Sequence, residues 1–386
     1  MNLSKYLVII LSSIFFWGAL STTYILDFKY PLPFEILASS ILDWFLTTLV
    51  FIIIMHIYKK RVESLNNFFS INVRKSLERK KHYLYIIVLI AFLYFYFRLN
   101  LILDGATREQ LVFDEDSSRF MMLASPFFVV MCAISISYQY NFKIIIACLL
   151  GVFLVSAYNL SRSEFANLIS LIILCLSLKG LSFKVILKLI IFSILVVIIA
   201  GILTIYQGRA DTINSSITGI LNAFFKYKAF SFYLAEFSIE KISNDIEQIL
   251  YPFFGFFIER FLIIIEPISN PISVYDADFI SEFHRLGPNN AYDGNVLYPW
   301  WSWFYGAFGI FGILIKSIFT LIVLIFLLKS KFRFLTLYTL YLILFVSYFR
   351  HPILNVASAY AIILFLIMDL LIILSEKKEC IYRNNR

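Results

Sequence analysis

The stretch from Pro31 to Arg61 reads PLPFEILASSILDWFLTTLVFIIIMHIYKKR. From Ile36 to Tyr58 its one carboxylate is Asp43, and Lys and Arg are absent until Lys59-Lys60-Arg61. A bilayer core is crossed by about 20 mostly apolar residues in a helix. The run at 35–58 meets that length, and the basic residues that stop it mark the side on which it stays. Working outward in both directions, comparable runs lie near 6–26, 83–103, 120–140, 144–158, 165–178, 185–205, 302–328, 334–350 and 353–374. The fifth and sixth runs turn about each other through Asn159-Leu-Ser-Arg-Ser-Glu164. The sequence therefore predicts an all-α polytopic membrane protein with about ten spans, within a range of about 10–12.

Composition agrees. Of 386 residues, 61% are hydrophobic and 15% charged, against about 25% charged in a soluble domain. The net charge of +8 does not point to nucleic acid, because the basic residues sit in short segments between apolar runs. Cys132, Cys148, Cys175 and Cys380 form no metal-type spacing, and three of them lie inside apolar runs, so inert thiols are expected. The first run is longer than a signal-peptide core and reads as an uncleaved span.

Lys and Arg set the direction. Lys59, Lys60, Arg61, Arg74, Lys75, Arg79, Lys80 and Lys81 crowd one loop. Lys143, Lys179, Lys184, Lys188, Lys329, Lys331, Arg333 and the tail with Lys377, Lys378, Arg383 and Arg386 fall on the same side of a ten-span chain. That side is expected to be cytoplasmic, with both termini on it. Asp27, Glu35, Asp104, Glu109, Asp114, Glu115 and Asp116 fall opposite. The chain then divides into a bundle over 1–205, a large external loop over 206–301, and a second bundle with a tail over 302–386. Two apolar stretches in the loop, 217–237 and 249–265, carry Lys226, Lys228, Pro252, Glu259 and Arg260. A charge at mid-bilayer costs about 2.5–3.5 kcal/mol on the insertion scale, so both are expected as interfacial or re-entrant helices.

Candidate chemistry gathers on the external side. Arg162, Arg209, Arg260, Arg285 and Arg350 recur at span ends and in the loop. Guanidinium groups bind phosphates through paired, charge-assisted hydrogen bonds. Singly, each also fits a lipid headgroup contact or a local ion pair such as Arg162 with Glu164 or Arg209 with Asp211. As a set they suit a lipid diphosphate. The polar stretch 276–295 supplies Asp278, Glu282 and His284 as candidate catalytic groups, and Asn289, Asn290 and Tyr292 as groups that hydrogen-bond sugar hydroxyls. Trp300 and Trp303 follow in an aromatic run that fits either sugar stacking or an interfacial belt. Within spans, Asp43 has no evident partner, Asp369 reads as a helix-packing group, and Lys316 as a snorkelling or bundle-facing lysine. Asp276-Ala-Asp278 matches a short metal–nucleotide pattern, but no nucleotide-binding α/β domain accompanies it. Walker, dinucleotide-loop, His-Glu-x-x-His and Gly-x-Ser-x-Gly motifs are absent.

Three places carry a family resemblance: Ser161-Arg162-Ser163-Glu164, Gly208-Arg209, and Tyr305-Gly306-Ala-Phe308-Gly309-Ile-Phe-Gly312. With the long external loop in the second half, they resemble the Wzy-type polymerases of bacterial O-antigens and related oligosaccharide repeat units. Some members place a Gly after an Arg and ten further residues. Here Gly219 stands ten positions after Arg209 and Gly294 nine after Arg285. O-antigen ligases share the architecture and usually carry a His-Asn pair, where this chain has Asn289-Asn290 with His284 five residues earlier.

The resemblance implies a GT-C-like polymerase or ligase fold in the bacterial inner membrane. It implies cofactor-free, metal-independent glycosyl transfer between undecaprenyl-diphosphate-linked glycans, with membrane lipids and a chain-length regulator as partners. In that setting the arginines would hold diphosphates, and His284, Asp278 or Glu282 would help deprotonate the acceptor. A ligase, and a flippase or transporter, are the alternatives. A transporter would want paired halves and charges at mid-membrane. A membrane acyltransferase would want a His grouped with acids, which His56, His82, His284 and His351 do not show.

Overall fold

The computed structural model is almost wholly helical. It describes residues 7–25, 32–104, 119–161, 163–180, 198, 201–202, 205, 212–243, 249–265, 284–286, 292–294, 297–354 and 356–384. In chain order the helices are α1 (Leu7–Ile25), α2 (Phe34–Ile57), α3 (Lys59–Asn67), α4 (Arg74–Arg79), α5 (Lys81–Leu103), α6 (Arg119–Ser137), α7 (Phe142–Tyr158), α8 (Ser163–Lys179) and α9 (Ile213–Ser243). They continue with α10 (Tyr251–Phe254), α11 (Phe256–Ile265), α12 (Trp300–Phe308), α13 (Phe311–Lys329), α14 (Arg333–Tyr341) and α15 (Val356–Asn384). Phe68–Val73 and Leu342–Val346 are π-helical turns that extend α3 and α14. β1 (His284–Leu286) and β2 (Tyr292–Gly294) form an antiparallel hairpin.

Among the described residues, α1, α2, α5, α6, α13 and α15 contain stretches long and apolar enough to cross a membrane. Phe142–Tyr158 and Arg333–Val346 are shorter apolar helices. This is an all-α membrane protein. The expected seventh span, 185–205, lies almost entirely outside the described residues. The expected eighth span is not continuous: α12 ends at Gly309, whose φ of +61° breaks the helix before α13 begins. The expected ninth span is helical only as far as Val346, about 21 Å at 1.5 Å per residue.

The chain packs as two compact units, one of residues 1–8 and 60–222, the other of 9–59 and 223–386. In the first, α6 packs on α7 and α8, and α7 also on α5. Cys132, Cys148 and Cys175 are buried free thiols there. Gly151 lets α7 approach α6, because a Cβ would lie 2.3 Å from the Phe128 ring. The basic segment is helical rather than an open loop. Val62, Leu65, Phe69 and Val73 turn inward at helical spacing while its Lys and Arg residues stay exposed. Tyr140 donates its hydroxyl hydrogen to the Phe69 carbonyl and fixes the segment to the end of α6.

In the second unit, α2 packs on α13, α12 on α13, and α14 on α15. Asp369 of α15 accepts from Phe334 N–H at 3.0 Å and Leu335 N–H at 2.9 Å. These are orphan donors of the first turn of α14, so the carboxylate caps that helix from a neighbouring one. The stretch expected as an interfacial helix at 217–237 is part of the 31-residue α9. Its Phe232 meets Phe16 of α1 edge-on at 5.8 Å, near the middle of α1. The described part of this helix therefore packs against the bundle along α1. Lys228 is tolerated there because its ammonium lies over the rings of Phe15 and Phe349 at 4.4 and 5.0 Å. The second stretch breaks at Gly255, and the ten residues of α11 are too few to cross.

The glycines of the motif at 305–312 now have separate reasons. At Gly306 a Cβ would sit 2.8 Å from the Ile239 carbonyl oxygen and 2.1 Å from the Ile242 side chain, so α9 passes directly against α12. At Gly312 it would lie 1.9 Å from the Phe304 carbonyl oxygen. Gly18 is crowded by the Phe225 ring, a side chain that can shift. Gly306→Ala and Gly312→Ala are therefore expected to cost about 1–3 kcal/mol of overpacking, and Gly18→Ala less. Thermal unfolding in detergent, followed by intrinsic fluorescence, ranks the three. An equal drop in midpoint at Gly18 would contradict this account.

Candidate functional site

The second unit holds an ion pair sealed from solvent. Lys316 Nζ lies 2.5 Å from Asp43 Oδ1, and the two side chains are 1% and 0% exposed. α2 and α13 bring them together. Asp43 thus has a partner, and Lys316 faces the bundle. Asp43 lies about 13 Å along α2 from its first residue, inside the apolar run. An isolated charge there would be costly, so each ion requires the other.

Lys316 also lies over the Trp300 ring, 5.1 Å from its centroid. Trp300 in turn donates its indole N–H to the Pro252 carbonyl at 2.7 Å, and its backbone N–H to Ser347 O at 3.0 Å. The Pro252 carbonyl has a second neighbour, His351 Nε2 at 3.2 Å. His351 Nδ1 accepts from Ile353 N–H at 3.0 Å, so the ring hydrogen must sit on Nε2, which donates to Pro252. His351 is a neutral imidazole in this arrangement. Its own backbone N–H donates to Tyr298 O at 2.8 Å, and Phe256 N–H donates to Ile353 O at 3.0 Å. Gly255, at φ +50°, passes so close that a Cβ would lie 2.3 Å from Ile353 O and 2.7 Å from His351 Cε1. Segments 251–256, 298–303 and 347–354 therefore lock into one node.

Arg350 enters this node with an unusual deficit. Its Nε and Nη2 atoms are buried and have no hydrogen-bond partner among the described residues. The described titratable groups near it are Tyr338, Tyr251, Tyr341 and His351. Buried guanidinium nitrogens without acceptors are rare, and each calls for an explanation. The segment also packs on α1: Tyr348 contacts Phe16 at 5.5 Å, near the middle of that helix.

A second feature stands beside it. His284 Nε2 is 3.1 Å from Tyr298 Oη, and its ring stacks on Phe237 at 3.9 Å and 18°. Tyr298 is fully buried and His284 half-buried. Tyr298 therefore joins the two features, through its hydroxyl to His284 and through its carbonyl to His351. Arg285 is exposed, and its backbone pairs with Asp293 across the hairpin. Arg260 is exposed, with its guanidinium over Phe256 at 5.2 Å.

Of the residues expected from sequence, the structure gathers Arg350, Trp300, Trp303 and His284 around Tyr298 and the 347–354 segment. Trp300 and Trp303 are 6% and 0% exposed. Trp300 has its N–H engaged and a cation on its ring, so these two indoles work as internal struts here rather than as open platforms for a sugar. Arg162, Arg209, Asp278, Glu282, Asn289 and Asn290 lie outside the described residues, and Tyr292 is described through its backbone alone. Sequence reading missed Tyr298, Pro252 and His351. The adjacency of His351 to Arg350 was its one local signal. It also missed Arg98 in the first unit, 5% exposed, whose guanidinium stacks 4.3 Å from the Tyr158 ring. Among the described residues, no three His, Cys, Asp or Glu side chains gather as a metal-type set.

Comparison with known proteins finds no match to a family model, a curated protein or a solved structure.

The ion pair sets a stability expectation. Asp43→Ala or Lys316→Ala alone leaves an uncompensated buried charge and is expected to cost about 3–5 kcal/mol. Asp43→Ala with Lys316→Ala is expected to cost less than the sum of the two, because neither charge is then left alone. Unfolding of the four proteins in one detergent gives the double-mutant cycle. Additive losses would show that the two groups do not act as a pair.

Proposed function

We propose that this protein polymerises lipid-linked oligosaccharide repeat units by metal-independent glycosyl transfer at the non-cytoplasmic face of the bacterial inner membrane. The observation that carries the reading is Arg350: a guanidinium with two buried, unpartnered nitrogens, recessed among tyrosines in a membrane protein. Such a group asks for an anion that arrives with a lipid, and a polyprenyl diphosphate supplies both parts.

In the reaction, the acceptor hydroxyl attacks the anomeric carbon of the growing glycan as the bond from that carbon to the diphosphate oxygen breaks. The bonding pair leaves on the diphosphate, whose charge Arg350 stabilises with Arg260 and Arg285; Arg162 and Arg209 are further diphosphate candidates on the strength of the sequence. The acceptor proton passes to His284, which Tyr298 and Phe237 hold in place. Asp278 and Glu282 are the alternative bases, and Asn289, Asn290 and Tyr292 meet sugar hydroxyls. The reading carries a GT-C-like fold of about ten spans, cytoplasmic termini, an external loop over 206–301 and a chain-length regulator as partner. The resemblance at 161–164, 208–209 and 305–312 supports it.

One observation favours a second reading, a flippase or transporter. Asp43 and Lys316 form an ion pair within apolar helices, where ion-coupled carriers keep theirs.

Proteoliposomes supplied with a lipid-diphosphate repeat unit separate these readings. A ladder of products supports the polymerase, transfer to lipid A core supports a ligase, and glycan movement without new bonds supports a carrier. Arg350→Ala, Arg209→Ala and Arg285→Ala are each expected to lower chain extension about 100-fold or more, leaving single repeat units in place. Normal ladders from all three would defeat the assignment.

A further inference from the structure

We infer that Asp43 and Lys316 are a positioning pair, which through the face of Trp300 holds His351, and with it Arg350, in the geometry that receives a lipid diphosphate. The inference rests on the reading of Arg350 as the anion site. The chain of contacts is continuous. Asp43 Oδ1 fixes Lys316 Nζ at 2.5 Å. That ammonium lies 5.1 Å from the Trp300 centroid. Trp300 Nε1 reaches the Pro252 carbonyl at 2.7 Å, and His351 Nε2 reaches the same oxygen at 3.2 Å. Arg350 is the next residue.

Helix packing alone does not account for the pair. Two apolar side chains of similar volume hold buried helices together at least as well as a buried ion pair. What they cannot do is place a positive charge on an indole face. A cation at 316 attracts the ring, and the carboxylate at 43 decides where that cation stands. With the ring held, both lone pairs of the Pro252 oxygen are taken, one by Trp300 and one by His351. If the ring turned away, the Pro252 carbonyl would lose its indole donor and be left to His351 alone, loosening the contact that fixes the 347–354 segment against residues 251–256. Arg350 would then move with the segment that carries it.

The test uses the full chain in detergent and farnesyl diphosphate, a short isoprenyl diphosphate, as probe. Affinity and unfolding midpoint are measured for each variant. Arg350→Ala reports on the anion-site reading itself, and unchanged affinity there ends that reading. The charge-swapped protein, Asp43→Lys with Lys316→Asp, reports on the positioning role. It keeps an ion pair between α2 and α13 but removes the cation from Trp300. The expected result is a near-native midpoint with affinity lowered about tenfold. Native affinity in the folded swap would overturn the inference while leaving the reading of Arg350 intact. If the swap does not fold, Trp300→Phe decides, since it leaves the ion pair and removes the indole donor to Pro252. It is expected to weaken probe binding by a similar factor, and Lys316→Arg to retain it. Full affinity in Trp300→Phe overturns the inference equally.

Discussion

Backbone polar groups inside a bilayer have no water to turn to, so a non-helical segment at that depth must find its partners in protein. In the second unit the same need falls on the mostly buried residues 347–354, which follow the short apolar helix at 333–346. Their donors and acceptors are met by two other broken segments, at Pro252–Phe256 and Tyr298–Trp300. Everything unusual nearby follows from this mutual arrangement. Gly255 must be glycine because two chains meet there. His351 is neutral because its Nδ1 accepts a backbone N–H and so carries no hydrogen. Arg350 is carried in among buried tyrosines.

The ion pair belongs to the same economy of polar groups. Asp43 and Lys316 are each intolerable alone in apolar helices and acceptable together. Their union ties α2, from the start of the chain, to α13, from its last third. Lys228, also in an apolar stretch, has the rings of Phe15 and Phe349 beside its ammonium. Aromatic rings are abundant in this protein, and some of them lie against cations as well as filling space.

Much of the fold was legible in the sequence because span length and basic stops are local signals. The runs at 6–26, 35–58, 83–103 and 120–140 became α1, α2, α5 and α6 with small shifts at the ends. The run at 302–328 misled, since Gly309 looks like any glycine in an apolar helix and its positive φ is a property of the fold. At 217–237 the lysines were legible but not their surroundings, because Phe15 and Phe349, the rings beside Lys228, are distant in sequence. The site was less legible still. Asp43 and Lys316 are 273 residues apart, and neither local pattern nor periodicity joins them. Trp300 read as an interfacial or sugar-stacking residue because nothing in the sequence reveals that its ring and its N–H are both engaged. Arg350 could be picked out by residue type and position, but its unpartnered nitrogens could not.

The carboxylate of Asp369 on the first turn of α14 bears on how the protein is made. A helix entering a membrane brings orphan N–H groups at its leading end, and those of α14 are met by a residue 35 positions later in the chain. When α14 first leaves the translocation machinery, α15 is not yet beside it and the cap is not yet in place. α14 becomes a finished element only once α15 packs against it.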